Sequence, residues 1–145
     1  MTYNSRNDRL KAYKETSVKT ANPGRLIVML YDEALKQIDH AVELLNGKSK
    51  KYDVVNNAIL KAQDIVAELM VSLNFDKGGD VAKNLFNLYM FFNSKLMDGN
   101  VNKNPEPLME VRENMAELKE AWEALEQKNT VNGEGKSKLG VNIAG

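Results

Sequence analysis

A few places in the chain carry residue types at spacings that could do chemistry. Gly135-Lys136-Ser137 ends as a phosphate-binding loop ends, with backbone amides and a lysine to cradle phosphates. That loop needs a further glycine where Thr130 stands, and the sequence before it does not read as a strand. Asp98, Asn100 and Asn102 have the first three ligand spacings of a calcium loop. Lys103 takes the place of its turn glycine, and Met109 stands where the bidentate glutamate is required. Asp32-Glu33 and Glu117/Glu120 pair carboxylates that acid–base catalysis would need in a pocket. On helices of this composition they read as solvated faces. His40 has no cysteine and no evident triad partner, so it reads as a surface or core-edge residue. The expectation is no enzyme, no metal and no cofactor.

The chain-wide balance narrows the classes further. Lysine and arginine number 20, aspartate and glutamate 20, so the formal charge is zero over 145 residues. That argues against nucleic-acid binding by bulk charge. Without cysteine there is no disulfide framework and no thiolate site. No apolar run is long enough to span a bilayer, and the opening MTYNSRNDRLKAYKE lacks the apolar block of a signal sequence. The expected protein is soluble and intracellular, without membrane insertion, and works by surface shape.

What positions such a surface is written in four segments of about twenty residues, each with an apolar stripe at helical spacing. The first is opened by Asn22-Pro23 and closed by Asn46-Gly47; its stripe is Ile27, Leu30, Tyr31, Ala34, Ile38, Ala41 and Leu45. The second carries Val55, Ala58, Ile59, Ala62, Ile65, Val66, Leu69 and Leu73. The fourth opens at Asn104-Pro105 and runs Leu108, Val111, Met115, Leu118, Trp122 and Leu125, close to a coiled-coil seam. Its other face holds seven glutamates against Arg112, Lys119 and Lys128. Trp122 is expected as a core anchor with its indole N–H near the bundle edge. Turn clusters are expected at Asp76-Lys77-Gly78-Gly79 and from Asp98-Gly99-Asn100 to Pro107.

The third segment differs. Val81, Ala82, Leu85, Phe86, Leu88, Tyr89, Met90, Phe91, Phe92, Leu96 and Met97 cover most of a helix circumference. Four helices of this size cannot surround one of their own number, so the excess implies a partner. Met90 and Met97 read equally as packing filler or as an adaptable binding surface. Short connections favour antiparallel neighbours. The expected fold is all-α: an antiparallel up-down-up-down four-helix bundle over 21–128, preceded by a basic leader (1–20) and followed by a flexible tail (129–145). In that tail Leu139, Val141 and Ile143 alternate, as a short docking hook would. The same surplus surface also suits a dimeric helical adaptor that self-associates through the third helix.

These residues resemble the flagellin secretion chaperone family, FliS. The resemblance begins at Ala12-Tyr13, then runs Val18, Thr20, Ala21, Pro23, Leu26, Ile27, Met29, Leu30, Tyr31 and Asp32. It continues through Lys61-Ala62-Gln63-Asp64-Ile65, Glu68-Leu69, Ser72-Leu73, Gly78-Gly79, Asn84-Leu85, Leu88-Tyr89, Leu96, Asn100, Leu118 and Ala121-Trp122. Each piece is weak alone, and their joint order is specific. The chain departs from the family pattern at Glu33, where glycine is usual, and at Asn74, where aspartate follows serine-leucine.

The resemblance implies a cytoplasmic export chaperone. Its partners would be the C-terminal segment of flagellin, disordered as a monomer, and the flagellar export gate; no nucleotide is required. A groove on the second and third helices would then involve Ile65, Leu69, Leu73, Leu85, Leu88, Tyr89 and Phe92, some of which periodicity alone could equally assign to the core. Leu10, Tyr13 and Val18 of the leader would cover part of that groove or simply pack as structural cover.

Overall fold

A computed structural model describes residues 23–49 and 51–132. The leader, with Leu10, Tyr13 and Val18, and the phosphate-loop-like and alternating segments of the tail lie outside the described residues. Among the described residues four helices follow one another: α1 (Pro23–Asn46), α2 (Tyr52–Val71), α3 (Phe75–Asn102) and α4 (Pro105–Asn132). The fold is the all-α four-helix bundle expected. α1 packs on α2 and α4, and α3 closes the square by packing on the same two.

Cross-helix pairs show the directions. Arg25, Asp32 and Asp39 on α1 meet Glu126, Lys119 and Arg112 on α4. The steps are seven residues on both helices and run in opposite directions, the signature of an antiparallel pair with a constant seam. Asn56 and Gln63 on α2 meet Asn100 and Asn93 on α3, again seven apart and reversed.

The core is the set of stripes read from the sequence. Leu30, Tyr31, Ala34 and Ile38 of α1, Ile59 and Val66 of α2, Tyr89, Phe92 and Leu96 of α3, and Leu108, Val111 and Met115 of α4 have no exposed surface. Trp122 is buried as expected of an anchor, but its indole nitrogen is buried too and has no hydrogen-bond partner. The expected position of that N–H at the bundle edge is therefore corrected: the ring is drawn wholly into the interior beside Tyr31.

Local chemistry sets the helix ends. Asn74, in an extended conformation (φ −110°, ψ 102°), caps α3 by accepting the Lys77 N–H at 3.0 Å. One turn later Gly79 takes φ 52° and ψ −125°, which kinks the helix where only glycine enters without strain. The expected turn at Asp76–Gly79 is thus a capped helical turn followed by a break. Asp98, Gly99 and Asn100 are helical, not a loop. Gly99 lies under Leu108, where a Cβ would come within 2.6 Å of the Leu108 side chain and 3.1 Å of the Asn104 carbonyl oxygen. The true turn is Lys103-Asn104. Lys103 is left-handed at φ 50°, and the Asn104 side chain accepts the Glu106 N–H at 3.1 Å to open α4. At the same end of the bundle, α1 stops at Asn46 with no left-handed residue.

Candidate functional site

The α2–α3 seam is built of amides where apolar side chains would be usual. The Gln63 side chain donates to the Asn93 carbonyl at 3.4 Å, and the Asn93 side chain returns a bond to the Gln63 carbonyl at 3.5 Å. Two turns away the Asn100 amide donates to Asn56 Oδ1 at 2.8 Å, and Lys103 Nζ donates to Asn100 Oδ1. The Asn93 side-chain oxygen is buried without a partner. A polar seam of this kind fixes register while giving up hydrophobic adhesion between the two helices.

Beside the seam an apolar strip runs along the outside of α3. Met90 is 52% exposed, Met97 59% and Val101 75%. Half-buried Phe86, four residues before Met90, continues the strip inward and packs against the core. Spacings of four, seven and four residues keep these side chains on one helical face. Tyr52 at the start of α2 is also exposed, and Met70 near its end is half-buried against the core. On the α4 side, Phe91 lies under the Lys95 ammonium at 5.6 Å from its ring centre, and Lys95 pairs with Glu110 at 3.2 Å.

The residues expected in the groove divide unequally. Ile65, Leu69, Leu73, Leu85, Tyr89 and Phe92 are each less than a tenth exposed and belong to the continuous core; Leu88 alone retains partial access. A stripe at helical spacing locates the interior seam, whereas a groove needs the residues one or two positions around the helix from it. Met90 and Met97, weighed equally as filler and as binding surface, stand on the outside. The amide seam was not foreseen; its signal is the recurrence of Asn and Gln at seven-residue steps in both helices.

Electrostatics points away from catalysis. The Tyr31 and Tyr89 hydroxyls hydrogen-bond at 2.7 Å across the core, with their rings edge to face. Burial pushes the Tyr89 hydroxyl up to about 12 and the Tyr31 hydroxyl well above its ordinary value, so both stay neutral. Lys119 is held more firmly charged by its hydrogen bond to Asp32. Asp32, Glu117, Glu120 and His40 are exposed, and half-buried Glu33 accepts from Gln37. Asp98 accepts from Asn102 one turn on, and Asn100 is engaged in the seam. Among the described residues no three metal-ligating side chains converge, and no helix is long and apolar enough to cross a membrane. Among the described residues, the arrangement offers exposed apolar surface beside neutral, buried tyrosines and carboxylates that face solvent or pair with neighbours.

Comparison with known proteins agrees with that geometry. The family model described as flagellar protein FliS matches residues 6–129. The flagellar secretion chaperone FliS of Vibrio cholerae is 32% identical over 124 residues, covering 80% of this chain and 87% of the relative. The FliS of Salmonella typhimurium is 32% identical over 126 residues, 82% of this chain and 90% of the relative. The Bacillus subtilis FliS is 30% identical over 111 residues, 77% and 80% of the two chains. The match spans most of the chain, and the chain belongs to the FliS family of flagellar secretion chaperones.

Proposed function

We propose that this chain is a cytoplasmic chaperone for flagellin, holding its C-terminal segment against polymerisation and delivering it to the flagellar export gate. The observation that carries this reading is the strip of Phe86, Met90, Met97 and Val101 lying beside the amide seam of α2 and α3. An amphipathic segment lays its apolar face along such a strip, whose own residues follow one another at steps of four and seven. Methionines suit that use, since unbranched thioethers repack around side chains of varied shape. In this reading Ile65, Leu69, Leu73, Leu85, Tyr89 and Phe92 form the floor beneath the groove, and Leu88 lies at its edge.

The energetics favour a holdase over a folding template. A segment ordered on binding buries about 1,000–3,000 Å² and gives back about 2–5 kcal/mol or more in lost conformational freedom. A client wrapped on the bundle surface in this way is released piece by piece for threading, with no nucleotide needed. Titration calorimetry with a flagellin C-terminal fragment tests the proposal. Met90→Asp and Met97→Asp should each weaken binding at least about tenfold while leaving the melting temperature within about 2 °C, because both side chains are solvent-exposed. Unchanged affinity in the double variant removes the strip from the site. A dimer in light scattering that is indifferent to the fragment would favour the adaptor reading instead.

A further inference from the structure

The two amide layers between α2 and α3 are not equivalent. Asn100 donates to Asn56 at 2.8 Å and accepts from Lys103, so that layer is closed on itself. The Gln63–Asn93 layer is held by bonds of 3.4 and 3.5 Å, against about 2.9–3.0 Å for an ordinary N–H···O bond. Asn93 Oδ1 is buried and finds no partner among the described residues. One satisfied polar layer is enough to fix the register of two helices. A second layer that leaves an acceptor unpaired costs stability and adds no alignment.

Asn93 also stands within the apolar surface assigned to the client. It follows Met90 by three residues and precedes Met97 by four, which puts the three on one face of α3. Across the seam, Gln63 has the same relation to half-buried Leu60 and exposed Ala67. Each helix therefore offers an apolar pair with an amide between its members. A client apolar all along its contact would seal the Asn93 oxygen in without a donor, the costly way to bury a carbonyl. A client that brings an N–H or O–H to this point pairs the oxygen instead. The Asn93 side chain is only half-buried and its bond to the Gln63 carbonyl is long, so a turn about Cα–Cβ that aims the oxygen outward gives up little.

We propose that Asn93 is a specificity-determining residue of the client site. Its side-chain oxygen accepts a hydrogen bond from a donor that the client carries between the apolar residues it lays on Met90 and Met97. The inference rests on the flagellin reading given above and adds a rule of selection to it. A segment with a polar break at this point binds better than one that is apolar throughout, because the second leaves a buried acceptor unmade. In a helical client the donor is a side chain, since the main-chain N–H groups are spent within the helix; in an extended client it is the main chain.

Calorimetric titration of the full-length chain with a flagellin C-terminal fragment tests this. Asn93→Leu should weaken binding at least about fivefold, because the client's donor is then buried unpaired. It should not lower the melting temperature, because the free chain loses an orphaned acceptor. Asn93→Ala should weaken binding to a similar degree, so the outcome does not hang on how leucine packs. Gln63→Leu makes the same amide-to-leucine change across the seam without removing the acceptor, and should leave affinity within about twofold. Alanine substitution of the fragment's Ser, Thr, Asn and Gln residues then locates the donor. A substitution that costs affinity in the native chain and nothing in Asn93→Leu identifies a side chain; if none behaves so, the donor is main chain. Undiminished affinity in both Asn93 variants, or an equal loss in Gln63→Leu, overturns the proposal. If Met90→Asp still weakens binding in that case, the flagellin site stands and only the role of Asn93 falls. A native chain that does not bind the fragment sinks both.

Discussion

Removing one hydroxyl from the Tyr31–Tyr89 pair should destabilise the bundle more than removing both. The two oxygens lie 2.7 Å apart with no exposed surface on either residue. In Tyr89→Phe the Tyr31 hydroxyl stays buried without its partner, and a buried polar group stranded in this way costs about 1–3 kcal/mol. Tyr31→Phe strands the Tyr89 hydroxyl at the same cost. The double variant strands neither hydroxyl and keeps both rings, so its loss should be below about 1 kcal/mol. The coupling between the two positions is then about 2 kcal/mol or more, well beyond the additivity expected of independent sites. Urea denaturation at pH 7 measures it, with the chain's single tryptophan, fully buried at Trp122, as the fluorescence reporter. Equal slopes across the four proteins would validate the cycle. If the double variant lost the sum of the single losses, the hydroxyls would be acting separately and the reasoning would fail.

The same pair sets an alkaline limit. Each hydroxyl holds its proton more tightly folded than unfolded, so stability is complete below about pH 10 and falls as pH rises toward about 12. The fall is up to about 1.4 kcal/mol per pH unit for each tyrosine, and chemical denaturation of Tyr89→Phe between pH 9 and 11 should show a shallower decline. Gly99→Ala should cost about 1–3 kcal/mol, since the new methyl overlaps the buried Leu108 side chain; a melt that moved by less than a degree would contradict the packing. Lys103→Gly should stabilise by about 1 kcal/mol by relieving the left-handed backbone, less what the Lys103–Asn100 hydrogen bond contributes. Arg112→Ala, by contrast, should shift stability by no more than about 1 kcal/mol, because both members of its pair with Asp39 are about half exposed.

The sequence stated the interior of the bundle well and its exterior poorly, for one physical reason. Burial repeats with the helix, so Ile59, Val66, Tyr89, Phe92, Val111 and Met115 announce themselves by spacing alone. Which side of an over-apolar helix stays outside depends on where its neighbours stand. Periodicity leaves open whether Leu85, Tyr89 and Phe92 line a groove or the core; the bundle buries all three and exposes Met90, Met97 and Val101. Turns were misjudged where glycine served packing. Gly99 reads as a breaker, yet its missing side chain is what lets α4 begin against α3, and the chain turns four residues later at a lysine. Spacing places Trp122 on the right face but does not report depth, and its indole nitrogen is buried.

The seven-residue ladder between α1 and α4 has a consequence for how the chain finds its fold. Apolar seams of two helices interlock almost as well after sliding by one heptad, so greasy contacts alone tolerate the wrong alignment. Here α1 presents plus, minus, minus at Arg25, Asp32 and Asp39, and α4 answers minus, plus, plus at Glu126, Lys119 and Arg112. Slide one way by seven and Asp32 meets Glu126 while only Asp39 and Lys119 still attract. Slide the other way and Arg25 meets Lys119 while only Asp32 and Arg112 attract, so three favourable pairs become one favourable and one repulsive. Surface pairs that add little to the finished bundle thus penalise its two nearest misalignments, and the order of their signs tells the correct partner from a shifted copy of itself.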